Sequence, residues 1–162
     1  MKAAYAGSFD PPTLGHEEII QKAAALFDEL LILVSPNSAK TGLFSAEQRK
    51  AWLEQIAKDH PNVCVEICAG LTVEAARAGK ADVLLRSMRS MADYEGEANN
   101  AWINAGLQNG LQTLFLMGDP AFGFISSSNV RELLKYHQSI EALVPRCVFA
   151  DLQPEFAADQ TV

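Results

Sequence analysis

A hydroxyl, a carboxylate and a histidine fall within ten residues of one another in Gly7-Ser8-Phe9-Asp10-Pro11-Pro12-Thr13-Leu14-Gly15-His16. Ala3-Ala4-Tyr5-Ala6 just before them reads as a buried strand, and Glu17–Phe27 just after reads as a helix. The chemistry-bearing residues therefore sit on a strand-to-helix turn. There, free backbone N–H groups and the positive end of the helix dipole favour phosphates. A Thr-x-Gly-His at such a turn points to nucleotidyl transfer. His16 would donate a hydrogen bond to a phosphate oxygen as charge moves onto it during attack at phosphorus. Gly15 lets the backbone come close to the phosphate, and Ser8 offers a hydroxyl at the strand end. The plainer reading makes His16 a helix-start residue and Ser8 a turn former; the complete string favours the chemical reading. Asp10, before Pro-Pro, suits a turn-fixing acceptor of backbone N–H groups better than a catalytic base.

Other candidates are cations and hydroxyls. Lys40, Arg86 and Arg89 read as loop residues that could grip phosphates, with arginine adding a bidentate fork. The alternative is solvated surface charge. Asp93 opens a long helix and fits a cap. Glu97 would bind ribose or hold an arginine, and Asn104 lies two turns beyond on roughly the same face. Ser126, Ser127 and Ser128 form a hydroxyl-rich helix start, a second anion site, although plain capping needs only one serine. His60 and His137 read as surface residues, and Trp52 and Trp102 as packing residues.

The elements that must position these groups alternate strand and helix. After Ala3–Ala6 come a helix near Gly15–Phe27, a strand Leu30–Val34 and a helix from Ser45 to about Lys58. Ser45 and Gln48 fit a capping box. Next are a strand Val63–Ile67, a short helix Thr72–Ala78 closed by Gly79, and a strand Asp82–Arg86. A long helix to about Leu107, a strand Thr113–Met117, a helix Ser127–Tyr136 and a short helix Ile140–Val144 follow. This is the pattern of an α/β, Rossmann-like, doubly wound five-stranded parallel sheet in a single domain. Residues 1–150 form that domain, and Asp151–Val162 reads as a loose tail or a partner-contacting arm. The polar clusters all follow strands: Ser8–His16, Asn37–Lys40, Arg86–Arg89 and Gly118–Ser128. A parallel sheet brings such segments to one edge.

Bulk properties narrow the partners. The 162 residues are 49% apolar and 20% charged, ordinary for one soluble domain. No apolar run is long enough to span a bilayer, and no signal-peptide core precedes the first strand. A net charge of −7 argues against nucleic acid as the main partner. Cys64 and Cys68 lie roughly 13 Å apart on a strand, too far for a disulfide or a shared metal. Reduced, mostly buried thiols in a cytosolic protein are the expectation.

Gly7-Ser8-Phe9-Asp10-Pro11 with Thr13-Leu14-Gly15-His16 resembles the signature of the nucleotidyltransferase superfamily that carries a HIGH-like motif. Ile125-Ser126-Ser127-Ser128-Asn129-Val130-Arg131 resembles its second motif. Ser35–Lys40, Leu43–Arg49, Arg86-Ser87-Met88-Arg89 and Ala92–Glu97 make the chain similar to bacterial phosphopantetheine adenylyltransferases from Met1 to about Val148. The resemblance implies adenylyl transfer from ATP to 4′-phosphopantetheine with Mg²⁺, which arrives with ATP and has no dedicated protein ligands. No covalent enzyme intermediate is implied. It also implies a cytoplasmic homohexamer that binds neither nucleic acid nor membrane.

By position, the resemblance makes His16, Lys40 and Arg86 catalytic. Ser8, Phe9, His16, Ser87, Met88, Arg89, Glu97, Phe122, Gly123, Phe124, Ile125, Ser126, Ser127 and Ser128 would surround ATP. Ser8, Lys40, Leu71, Thr72, Arg86 and Asn104 would contact the acceptor.

The chain departs from the family pattern at Ala6, Ser8, Thr72, Ser87, Gly96 and Gly118. Ser87 replaces a glycine, and would weaken ATP binding if that position needs a positive φ or close backbone approach. Two rival readings remain. One is an adenylyl- or cytidylyltransferase with another acceptor, such as nicotinate mononucleotide. The other is a nucleotide-binding regulatory module with little turnover.

Overall fold

One parallel sheet holds five strands, β1 (Lys2–Gly7), β2 (Glu29–Val34), β3 (Val63–Ile67), β4 (Val83–Met88) and β5 (Gln112–Met117), in the order β3-β2-β1-β4-β5. The helices are α1 (Leu14–Leu26), α2 (Ala46–Ile56), α3 (Thr72–Ala78), α4 (Met91–Gly106), α5 (Ser127–Lys135) and α6 (Arg146–Ala158), with a 3₁₀ turn at Pro120–Phe122. The computed structural model describes residues 1–35, 42–68, 70–106 and 111–158, without the side chains at 92 and 153–158.

The central strands are apolar throughout because both faces are covered. Ala3, Tyr5, Leu30, Ile32, Val34, Val65 and Leu85 share one core with Ile19, Ile20 and Ala23 of α1 and Leu53 of α2. Ala4, Ala6, Leu31, Leu33 and Leu84 turn to the other face, with Val73 and Ala76 of α3. The strand order reverses between β1 and β4. The connections leaving these two neighbours run to opposite sides, and a crevice opens at their carboxyl ends.

Several expectations need correction. Ser87 and Met88 extend β4 beyond Arg86, so Arg86, read as the strand's end and as a loop cation, lies within the strand. The register of all three against Phe115, Leu116 and Met117 extends the strand past its apolar stretch. The Ser45 side chain accepts from the Gln48 amide as expected of the N-cap. In α2, buried Arg49 joins Trp52 and Leu53, whereas Ala51 is exposed. Gly79 caps α3 with φ −75°, so no left-handed backbone calls for glycine. Packing does, because a Cβ there would lie 2.3 Å from Leu31 Cδ2. Residues 141–144 form a turn instead of a helix. Trp102 is exposed on α4, and Cys64 is exposed on β3.

The region read as a tail is the largest correction. α6 carries the chain through Ala158, and Leu152 is buried with Trp52, Val130, Ile140, Val144 and Val148. Trp52 Nε1 donates to Asp151 Oδ2 at 2.7 Å, pinning α6 on α2. Val148 and Leu152 are four residues apart, so one helical face meets the core. Among the described residues, no helix is long and apolar enough to cross a membrane.

Leu152→Ala is therefore expected to destabilise the fold by about 2–5 kcal/mol, as for a truncated core leucine. Denaturant unfolding measures it; a change within about 0.5 kcal/mol, typical of a surface site, would return this segment to a loose tail.

Candidate active site

A cleft of about 400 Å³ opens at the switch point between β1 and β4, within the range of small-ligand sites. Ser8, Phe9, His16, Arg86, Ser87, Arg89, Glu97, Phe122, Ile125, Ser126, Ser127 and Ser128 all line it. Met88 is buried at the end of β4, and Gly123 caps the 3₁₀ turn; neither lines the cleft. Phe124, Leu71, Thr72 and Asn104 also lie outside its lining; Phe124 and Leu71 are exposed, and Thr72 Oγ1 is 3.3 Å from Ser35 Oγ. Lys40 falls outside the described residues.

The geometry of His16 follows from the turn that holds it. Thr13 is the N-cap of α1, and His16 takes the place that Glu or Gln fills in a capping box. The Thr13 amide donates to His16 Nδ1 at 3.0 Å. A backbone N–H can only donate, so Nδ1 is unprotonated and the neutral ring carries its proton on Nε2. The Thr13 hydroxyl lies 3.0 Å from the same nitrogen. Burial, with the Arg89 charge second, pushes the His16 pKa down to about 4. The ring is a neutral donor at physiological pH, and Phe9 packs edge-on against it at 5.0 Å between centroids. Phe9 itself is buried at φ +48°, and a Cβ on Gly7 would come within 3.0 Å of its ring. Glycine at 7 thus makes room for the ring that seats the histidine.

Anion donors converge around this ring. At the start of α1, the Leu14 amide donates to Leu143 O, and the His16 and Glu17 amides donate to Thr13 O. The Gly15 amide is left without a partner among the described residues, and Gly15 lines the cleft. At α5, Ser126 caps the Asn129 amide at 3.1 Å. Ser127 Oγ donates to Pro11 O at 2.8 Å, and Ser128 Oγ accepts from Arg131 at 3.0 Å. The three hydroxyls are thus engaged within the protein, and the first-turn amides of Ser127 and Ser128 remain for an anion.

The cations are held as firmly. Arg86 forms a bidentate pair with Glu97, and Arg89 Nη1 donates to Ile125 O at 2.8 Å while its Nη2 lies 3.4 Å from Asp93 Oδ1. Asp10 behaves as a turn-fixing acceptor, taking the Leu43 amide at 2.9 Å and the Phe44 amide at 3.0 Å.

Two arginines, Arg131 and Arg49, were not singled out as site residues in the sequence. Arg131 lines the cleft and donates to Asp10 O at 2.6 Å; its place at the end of the Ile125–Arg131 string was the signal. Arg49 is buried and bonds the carbonyls of Ser8, Ser35 and Ser45. An arginine on an amphipathic helix reads as surface, so no local signal marked it. Ser87 sits in extended backbone, so its replacement of glycine violates no positive-φ requirement. Its Oγ accepts from Tyr5 Oη at 3.2 Å, and burial raises that phenol's pKa to about 12, which keeps it a donor. At Gly96 an added Cβ would meet nothing within 4 Å.

A cytidylyltransferase-like family model matches residues 4–133. A phosphopantetheine adenylyltransferase from Flavobacterium johnsoniae is 44% identical over 147 residues, covering 91% of this chain and 96% of its own. The chain belongs to the phosphopantetheine adenylyltransferase family. Relatives of the same name from Syntrophotalea carbinolica and Dictyoglomus turgidum are each 40% identical, over 95% and 96% of this chain and 93% and 98% of theirs. A Vibrio parahaemolyticus structure, provisionally described as a nicotinate-nucleotide adenylyltransferase, superposes with a TM-score of 0.70 at 17% identity. It covers 96% of this chain and 93% of its own, and at that identity the likeness concerns the fold alone.

The neutral state of His16 has a measurable sign. An unfolded histidine titrates near 6.5, whereas the folded ring holds out to about 4. Between these values the unfolded chain binds a proton that the folded chain lacks. The stability contributed by His16 is thus complete above about pH 6.5 and falls as pH drops toward 4. Nitrogen-15 NMR at pH 6 is expected to show a neutral ring protonated on Nε2; a ring half-charged near pH 6.5 would remove this assignment.

Proposed function

We propose that the protein transfers the adenylyl group of ATP to 4′-phosphopantetheine, giving dephospho-coenzyme A and pyrophosphate. The observation that carries this reading is the neutral His16 with Nε2–H, half-buried at the N-terminus of α1 in the crevice lined by Arg86. The 40–44% identity to relatives named for this activity supports the choice of acceptor.

An oxygen of the acceptor phosphate attacks the α-phosphorus, and the bond from that phosphorus to the bridging β-oxygen breaks. The electron pair leaves on pyrophosphate. Charge grows on the leaving and non-bridging oxygens, so fixed donors stabilise the transition state more than the ground state. His16 Nε2–H and the Gly15 amide suit the triphosphate, and the first-turn amides of α5 suit its far end. Arg86 and Lys40 would take the acceptor phosphate region, with Ser8 between the two substrates. Leu71, Thr72 and Asn104 would line the pantetheine arm. Ser87, Arg89, Phe122 and the segment Ile125–Ser128 would enclose the nucleotide. In this reading the acceptor oxygen displaces pyrophosphate directly, without a covalent enzyme intermediate.

In this reading Mg²⁺ would arrive with ATP as its counter-ion. Among the described residues no cluster of three His, Cys, Asp or Glu side chains suits a metal. Of the carboxylates lining the cleft, Glu97 pairs with Arg86, Asp93 with Arg89 and Glu18 with Lys22, while Asp10 accepts from the Leu43 and Phe44 amides and Asp119 from the Ala121 amide. A cytoplasmic homohexamer is part of the same reading. The exposed Tyr94, Trp102 and Ile103 of α4, with Leu114, Phe115 and Met117 of β5, supply apolar surface for copies of this chain.

Pyrophosphate release from ATP and Mg²⁺ tests the reaction, with 4′-phosphopantetheine or nicotinate mononucleotide as acceptor. Release with the pantetheine compound alone is expected. Release only with the mononucleotide, or with neither, overturns it.

A further inference from the structure

Arg86 and Glu97 are paired in a way that leaves a usable face on the cation. Arg86 Nε donates to Glu97 Oε2 at 2.6 Å, and Nη2 donates to Oε1 at 2.8 Å. Nη1 donates to Ala6 O at 2.9 Å. A guanidinium has five N–H donors in one plane. Three are engaged here, which leaves one proton on Nη1 and one on Nη2. Both side chains line the cleft, and both are more than two-thirds buried. Each oxygen of Glu97 accepts from the same cation, so the carboxylate presents neither of its best acceptor sites to a nucleotide hydroxyl.

We infer that Glu97 is a positioning residue for Arg86, which it clamps side-on so that the two remaining protons meet the phosphate of the acceptor. This rests on the proposed reading of the reaction. The clamp preorganises the cation. Arginine is a long side chain that loses rotamer freedom when it grips an anion. Here that ordering is complete in the folded protein, through α4 on one side and the β1 carbonyl on the other. Glu97 also cancels the charge of Arg86 locally. The pair therefore trades long-range attraction for geometry, and in-line transfer depends on geometry. The resemblance places Glu97 among the nucleotide contacts; the clamp assigns it to the acceptor half of the site.

Glu97→Gln keeps one acceptor oxygen but turns an amide N–H₂ toward a guanidinium N–H, which breaks the bidentate pair. The expected result is a rise of tenfold or more in the KM for 4′-phosphopantetheine, with the Kd for ATP alone within twofold of wild type. Glu97→Asp is expected to recover part of the loss. In an Arg86→Ala background, Glu97→Gln is expected to add less than twofold, since the clamp then has nothing to hold. A tenfold weaker ATP Kd with an unchanged acceptor KM would overturn the inference, as would independent effects of the two substitutions. A wild type that releases no pyrophosphate with 4′-phosphopantetheine overturns the reaction itself and this inference with it. A wild type that turns over while Glu97→Gln weakens ATP alone overturns only the inference.

Discussion

A buried carboxylate, Asp10, joins the loops on which the chemistry of this protein depends. Its two oxygens hold the amides of Leu43 and Phe44, its carbonyl accepts from Arg131, and Arg131 Nη1 also lies 3.9 Å from Oδ2. Ser127 closes the same knot through Pro11 O. The turn after β1, the chain entering α2 and the start of α5 are thereby one unit. Hydrogen bonds to a charged group contribute about 1.5–3 kcal/mol each, and their loss would leave two part-buried amides unpaired. Arg49 works from below, tying the carbonyls that end β1 and β2. Loops at the carboxyl edge of a parallel sheet are otherwise the least constrained part of such a fold.

With the loops fixed, the site needs no unusual reagent. It is a set of donors aimed at phosphate: one neutral histidine, the amides at two helix starts and arginines held by carboxylates or carbonyls. Each arginine in the cleft has its orientation set by the protein before any ligand arrives, Arg86 by Glu97, Arg89 by Asp93 and Ile125 O, and Arg131 by Asp10. Phosphoryl and nucleotidyl transfer rely mainly on position and electrostatics, so preorganisation of this kind is the relevant property.

The sheet and its active edge were legible in the sequence because parallel strands covered on both faces appear as unbroken apolar runs, such as Leu30–Val34. The capping box that Thr13 and His16 form was not read from the sequence, and the tautomer emerges only when the Thr13 amide is placed. Other features had no local signature. β4 continues past Arg86 through Ser87 and Met88 because its neighbour β5 pairs with them, and the sequence there gave no sign of it. α6 was missed because Asp151 looked like tail composition, yet it is the partner of the Trp52 indole, 99 residues away. Arg49 was given no role in the sequence; its carbonyl partners at Ser8 and Ser35 are 41 and 14 residues distant. Long-range polar pairing decided each of these cases.

The most direct measurement compares ATP affinity with single-turnover adenylyl transfer in His16→Ala and His16→Gln. A donor used in the transition state is expected to leave the ATP Kd of His16→Ala within a few-fold while the transfer rate falls about 100-fold or more. Glutamine, whose amide nitrogen can stand near Nε2, is expected to restore part of the rate. Equal losses of affinity and rate, or a rate unchanged by the removal of His16, would contradict the role given to this ring.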